Sequence, residues 1–344
     1  MEFPEVVFFE ESESEEEAAV HLAAQLEARE IEAPFVLSSV HGEKLASKVQ
    51  GPRPPQRHEA SSDQSAAAEL GSRAKRSGAD AVVAVGGGRC LDVGKLAAAR
   101  AGLPLIAVPT QLSHDGICSP VAVVPDHEGR PESVGAVAPH LVFVSLPTLA
   151  TAPAASVAAG LGDLIANPLA LRDWALAAER GLEDVDQRAW DLSVQSFEVI
   201  EPDLDIHPGA SASDPGFYRR LSDALVLSGM AMICSGTSRP ASGGEHEISH
   251  AMDELLGGRA MHGAQVAFGC IISVALHGED TELFRSRLRV LGLPDGPEGL
   301  GMDEDALVAI LLHAPQTRPG RFTILEEADL DESAARALVR RIWP

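Results

Sequence analysis

Along the first 150 residues, short apolar runs alternate with stretches in which apolar positions recur every three or four residues. The run "EVVFF" (5–9) predicts a strand, and "EEEAAVHLAAQLEARE" (15–30) predicts a helix built from good helix formers. "APFVLSS" (33–39) predicts the next strand, and the Pro-, Ser- and charge-rich "QGPRPPQRHEASSDQSA" (50–66) predicts a loop. "SAAAELGSRAKRSG" (65–78) is a predicted helix with Gly78 at its stop. "ADAVVAVGGG" (79–88) is an apolar strand entering three glycines, "RCLDVGKLAAARAG" (89–102) a helix, and "LPLIAVPT" (103–110) a buried strand. This alternation predicts a parallel sheet covered on both faces.

After "HLVFVSLPTLA" (140–150) the period changes. "DLIANPLALRDWALAAERG", "SDALVLSGMAMICSG", "GGEHEISHAMDELL" and "HGAQVAFGCIISVALHG" all repeat at helical spacing. The expected architecture is an α/β domain over 1–150 followed by an all-helical domain over 151–344. The active site is expected in the cleft between them.

Composition narrows the partners. The 344-residue chain is 45 % apolar, enough for two cores, and carries a formal net charge of −24. Such a chain repels phosphate backbones and anionic lipid, so nucleic acid is excluded as a general partner, and an anionic substrate needs a local cationic site. The acidic N-terminus does not read as a signal peptide, and no unbroken apolar run approaches a membrane span, so no membrane insertion is expected. Cys90, Cys118, Cys234 and Cys270 are scattered, which fits free thiols in a reducing cytoplasm.

Gly86, Gly87 and Gly88 end a predicted strand and precede a helix. Glycines there allow a sharp turn and close ligand approach, and the helix amides favour a pyrophosphate. The same triplet also reads as an ordinary strand-to-helix turn. Asp92 and Lys95 follow on the first turns of that helix. The hydroxyl-rich "VPTQLSHDGICSP" (108–120), with His114 and Asp115 adjacent, follows the next strand. Both segments fall beyond the carboxyl ends of parallel strands, where such sheets bind ligands.

"HEISH" (246–250) matches the His-Glu-x-x-His pattern of zinc proteases. His246 and His250 share one helix face, His262 opens the next predicted helix, and Asp163 in "GLGDLIAN" is placed at a helix start. Two imidazoles and a carboxylate make a three-donor site with an open position, suited to catalytic zinc or iron.

In this order, "GGGRCLDVGK", "VPTQLSHDGICSP", "GLGDLIAN", "SGTSRPASGGEHEISHAMD", "HGAQVAFG" and "RPGRFTILEE" resemble the sn-glycerol-1-phosphate dehydrogenase family, over roughly residues 80–330. That family sits among the iron-containing alcohol dehydrogenases and dehydroquinate synthases. The resemblance implies a dehydroquinate synthase-like fold, with a nucleotide-binding α/β domain and a helical metal-binding domain. It implies reversible, NAD- or NADP-linked reduction of dihydroxyacetone phosphate, a small phosphorylated substrate. By the same resemblance, Asp163, His246 and His262 are metal ligands for Zn2+, with Fe2+ or Ni2+ as alternatives. His250 and Asp115 face substrate. Gly86, Gly87, Gly88, Thr110, Ser113 and Ser119 contact the cofactor, and a homo-oligomer is expected.

In that reading only His246 of "HEISH" binds metal, His250 faces substrate, and Glu247 has a structural role. The family pattern "GFGDLIAK" followed by "DW" is replaced by "GLGDLIANPLALRDW", where Pro168 is expected to kink a helix. Arg239 is the candidate phosphate cation, with an ion pair at a helix entry as the alternative. The strand "APFVLSS" ends in Ser38 and Ser39, with no carboxylate before Glu43 and with Lys44 next. NADP is therefore expected to serve at least as well as NAD, unless Glu43 reaches back to the ribose. Rival readings are the same chemistry on another small alcohol or ketone, an NAD-using sugar-phosphate cyclase, and a silent binding protein.

Overall fold

The computed structural model describes residues 3–10, 14–49, 56–57, 63–126, 129, 131–211, 214 and 216–344. The chain divides into two compact units, Met1–Pro153 and Ala154–Pro344.

Among the described residues the first unit has eight strands: β1 Glu5–Phe9, β2 Pro34–Ser38, β3 Gln56–Arg57, β4 Ala81–Gly86, β5 Leu105–Pro109, β6 Val121–Pro125, β7 Pro131–Gly135 and β8 Leu141–Ser145. Six form one parallel sheet in the order β1-β8-β5-β4-β2-β3. Every residue of β2, β4, β5 and β8 is buried, as the unbroken apolar runs require of strands covered on both faces. Val83, Val85, Ile106, Val108 and Phe143 belong to the core cluster there.

The flanking helices begin and end on local signals. Ser14 caps Glu15–Glu27 by accepting from the N–H groups of Glu16 and Glu17, and Asp63 caps Gln64–Arg76. Gly78 takes φ +71° just past the latter helix, the stop its position predicted. Two features differ from the sequence reading. Most of the expected loop 50–66 lies outside the described residues, but 56–57 form the edge strand β3. β6 and β7 form an antiparallel hairpin that the apolar pattern did not signal. It is tied to the helix Gly88–Ala101, where Lys95 Nζ donates to Asp92 Oδ1 (3.0 Å) and to the Val121 carbonyl (2.6 Å). Asp92 Oδ2 accepts the Val123 N–H.

The second unit is helical. By length and composition the stretch 154–179 is apolar enough to cross a bilayer, unlike any single unbroken run. However, 83 % of its most apolar window is buried inside the fold. It is two helices, Ala154–Leu164 and Asn167–Glu179, and Pro168 sits in the first turn of the second. The disturbance expected at Pro168 takes the form of a break just before it, at 165–166, rather than a kink inside one continuous helix. A proline there gives up only an N–H that has no intrahelical partner. Asp163 likewise lies near the end of Ala154–Leu164, not at a helix start.

Candidate functional site

Three helices of the second unit meet at glycines. A Cβ on Gly162 would stand 2.4 Å from the Gly263 carbonyl oxygen, and one on Gly263 would stand 1.9 Å from that of Ala159. A Cβ on Gly269 would stand 2.5 Å from the Glu245 carbonyl oxygen. Any larger residue would push Ala154–Leu164 or Gly244–Leu256 away from His262–Leu276. This close approach brings together Asp163, His246 and His262, one donor atom from each lying within 4.8 Å of the others. His246 Nε2 is 3.7 Å and His262 Nε2 3.8 Å from Asp163 Oδ1.

Glu245, absent from the sequence-derived set, holds this arrangement. It is completely buried. Its Oε1 lies 2.9 Å from His246 Nδ1 and accepts the Gly243 N–H at 2.6 Å. His246 Nδ1–H thereby donates to Glu245 Oε1, leaving Nε2 to face Asp163. Burial alone would depress the His246 pKa, but Asp163 and Glu245 outweigh it and lift it to about 9. A field that holds a proton this firmly favours any cation at the same point. The donor set, one carboxylate and two imidazoles, therefore fits a divalent metal.

His250 lies on the same face, its ring 6.4 Å from that of His262. Its Nε2 is 3.2 Å from Arg318 Nη2 and accepts from it, because a guanidinium has no acceptor. His250 is therefore neutral with its proton on Nδ1. Burial, Arg318 and the neighbouring imidazoles hold its pKa well below the usual range. Glu247 points elsewhere. It is fully buried, with Oε2 3.0 Å from Thr323 Oγ1, and burial and Glu326 push its pKa up to about 8. That geometry does not direct a general base at the histidines.

Arg239 is not available to a ligand. It is 2 % exposed, Nε donates to Glu183 Oε2 at 2.7 Å, Nη2 pairs with Glu183 Oε1, and Nη1 donates to the Phe322 carbonyl. The candidate phosphate cation is thus a structural ion pair, the alternative that its sequence position left open.

In the first unit, the carboxyl ends of β2, β4 and β5 open onto a cleft of about 680 Å³. Gly87, Gly88, Thr110, Ser39, His41 and Lys44 line it. A Cβ on Gly87 would meet Gln111 Nε2 at 2.6 Å, and one on Gly88 would meet His114 Nε2 at 2.2 Å. Gly86 accepts the Thr110 N–H at 3.0 Å, which sets the two predicted cofactor segments side by side. Ser39 Oγ is buried without a hydrogen-bond partner among the described residues. A buried hydroxyl left over beside a glycine turn suits the ribose and phosphates of a dinucleotide. Ser113 and Ser119 are buried in the segment after β5 and do not line the cleft, and Asp115 opens the short turn Asp115–Ile117. Lys95 does not reach the cleft either, being spent on Asp92 and Val121.

A family profile described as iron-containing alcohol dehydrogenase matches residues 26–153. The glycerol-1-phosphate dehydrogenase (NAD(P)+) of Thermococcus kodakarensis is 41 % identical over 254 residues, 74 % of this chain and 71 % of that protein. Its counterpart from Methanoculleus marisnigri is 39 % identical over 262 residues, 76 % of this chain and 71 % of that one. Among solved structures, a probable glycerol dehydrogenase from Sinorhizobium meliloti superposes with a TM-score of 0.81 at 22 % identity, covering 99 % of this chain and 97 % of that one. Glycerol dehydrogenase from Schizosaccharomyces pombe gives 0.76 at 17 % identity, with 99 % and 89 % coverage. These two share the fold.

Proposed function

This chain belongs to the glycerol-1-phosphate dehydrogenase family, and we propose that it interconverts dihydroxyacetone phosphate and sn-glycerol 1-phosphate with NAD or NADP. The observation that carries the reading is the Asp163, His246 and His262 grouping, with His250 beside it, in a chain of this ancestry. Those three residues hold a divalent cation, for which zinc suits the mixed nitrogen and oxygen donors; iron and nickel are the alternatives. The cation supplies Lewis-acid polarisation of the substrate oxygen. The nicotinamide supplies or accepts the hydride.

The chain's own residues do the remainder. Asp163 and Glu245 keep the site negative enough to retain a cation, and Glu245 orients His246. His250, with its proton on Nδ1, offers a neutral donor on the substrate side. Gly87 and Gly88 admit the cofactor's pyrophosphate, and Thr110 and Ser39 offer it hydroxyls. Beyond β5 the Asp115 carbonyl accepts the N–H groups of Cys118 and Ser119, which fixes the turn that presents Asp115. The end of β2 favours acceptance of NADP. There Ser39, His41 and Lys44 line the cleft and Glu43 does not, but Glu15 also lines it and pairs with Lys44 at 2.9 Å, so a 2′-phosphate competes with that carboxylate for the lysine.

The test is reduced-cofactor absorbance on zinc-loaded protein across a panel of triose phosphates, polyols and ketones. Multiple turnover with dihydroxyacetone phosphate is expected. His262→Ala is expected to abolish metal binding and turnover while the protein stays folded. Full metal occupancy in that variant overturns the ligand assignment. Catalysis of a cyclisation without net cofactor turnover overturns the dehydrogenase reading. A preference for NAD over NADP of a hundredfold or more, on the order of 2.7 kcal/mol, overturns the cofactor reading.

A further inference from the structure

The segment after residue 317 returns two arginines to 238–250, the stretch that leads into and includes His246 and His250. Arg318 Nη1 donates to Ser238 Oγ at 2.7 Å and Nη2 to His250 Nε2 at 3.2 Å. Arg321 Nη2 donates to the same Ser238 Oγ at 3.0 Å and Nη1 to the Ser242 carbonyl at 2.6 Å. A guanidinium has five N–H groups, so donors remain on both. Among the described residues, neither has a carboxylate at ion-pair distance. Glu183 is taken by Arg239, and Glu247 Oε2 rests on Thr323.

Two guanidiniums converging on one hydroxyl, largely buried and unneutralised, are costly for a folded protein. The cost is visible in their proton affinities. Burial first, then Arg318 and Arg239, pull Arg321 down to about 10, and burial also lowers Arg318. An arrangement this unfavourable in the free protein is what a dianionic ligand would neutralise. Guanidinium forks match phosphate oxygens two at a time, which an ammonium does not.

Position agrees with charge. The His250 imidazole stands between Arg318 and His262, bonded to the first and 6.4 Å, centroid to centroid, from the second. In a triose phosphate, three bonds separate the phosphorus from the carbonyl carbon. A substrate whose oxygen faces the metal donors therefore carries its phosphate past His250 toward the arginines.

We infer that Arg318 and Arg321, joined through Ser238, are the receptor for the substrate's phosphate and set the preference for a phosphorylated triose over a free one. The inference rests on the proposed function, and the experiment has an arm independent of it. With zinc-loaded protein, kcat/KM is measured for dihydroxyacetone phosphate and for dihydroxyacetone. Thermal protection by inorganic phosphate is measured in parallel. Arg321→Gln is expected to lower kcat/KM for the phosphorylated substrate by about a hundredfold or more, mostly through KM. The loss with dihydroxyacetone is expected to be far smaller, so the ratio between the two collapses.

Phosphate is expected to raise the Tm of the wild type and not that of Arg321→Gln or Arg318→Gln. Arg321→Lys, which keeps the charge without the fork, is expected to fall between. In phosphate-free buffer Arg321→Gln is expected to hold or raise the Tm, whereas Arg239→Gln, which strands Glu183, lowers it. An unchanged substrate ratio in folded variants, or undiminished phosphate protection, overturns the receptor. A wild type that ignores dihydroxyacetone phosphate overturns the proposed function instead, and phosphate protection alone then decides the receptor.

Discussion

Replacing Glu245 with Gln separates the charge that holds the metal donors from the packing that surrounds them. Glu245 Oε1 bonds both His246 Nδ1 and the Gly243 N–H, and the side chain is completely buried. Glutamine fills nearly the same volume and keeps an amide oxygen for both donors, but carries no charge. A hydrogen bond to a charged acceptor contributes roughly 1.5–3 kcal/mol, against about 1 for a neutral one. The difference, about 1–2 kcal/mol, is on the order of a tenfold change in an equilibrium constant. Partners that orient a ligating imidazole typically contribute about 10–100-fold to metal affinity.

The two routes agree on a zinc Kd raised by about ten- to a hundredfold in Glu245→Gln. The assay is competition between metal-free protein and a chromophoric chelator at fixed pH. Glu245→Ala removes the acceptor as well and strands a buried N–H, so it adds a stability loss of about 1–3 kcal/mol that thermal melting would report. A folded Glu245→Gln variant with wild-type zinc affinity refutes the argument that Glu245 acts through His246.

Glu247→Gln is expected to keep activity within a few-fold. Its carboxyl, raised to about 8, is mostly protonated at neutral pH and close in shape to an amide; a loss of several orders of magnitude in steady-state rate would restore it as a base. Asp253 accepts from Gln265 Nε2 at 2.9 Å, and burial, reinforced by Glu254, raises its pKa. A raised carboxyl pKa favours the fold below the unfolded value near 3.8, and that advantage is lost as pH rises through the folded value. Asp253→Asn should therefore out-melt the wild type at neutral pH, with the Tm gap closing as pH falls toward 4; a gap that widens on acidification contradicts it. Burial pushes the Cys90 and Cys118 thiols up to about 12, so alkylation of native protein at pH 8 should reach half-exposed Cys234 well before either. Equal labelling rates read by peptide mass spectrometry would show that those thiols are accessible.

The sheet was legible because its physics is local. Strands buried on both faces must be largely apolar, and β2, β4 and β5 were read from such runs; β8 is as apolar up to Ser145 but was taken only as the point where the period changes. The hairpin was not, because β7 is mostly polar and exposed, and its partner β6 is held by Asp92 and Lys95, residues whose own positions announce no strand. Asp163 in "GLGD" was expected at a helix start, yet the glycine beside it marks a close helix crossing near the end of Ala154–Leu164. The three metal donors were found by residue type and by resemblance. Glu245 was missed although it is next to His246, since an acidic residue in a first helical turn ordinarily reads as a favourable dipole partner.

Cations show most clearly what a sequence leaves open. In a chain of net charge −24, each Lys or Arg has many possible partners, and availability to a ligand depends on which one the fold supplies. Lys95 stands about two turns into the helix behind the glycine triplet, but a neighbouring aspartate and a hairpin carbonyl consume it. Arg239 lies in "SGTSRPASGGEHEISHAMD", one of the segments that carry the resemblance, but Glu183, fifty-six residues earlier, neutralises it. Arg318 and Arg321 sit in a segment whose resemblance carried no assigned role, and they alone of these four end beside His250 or its neighbour without a carboxylate. Burial costs all four cations, and only a tertiary partner offsets that cost. The pair left without a carboxylate among the described residues is therefore the one whose burial is best explained by a ligand.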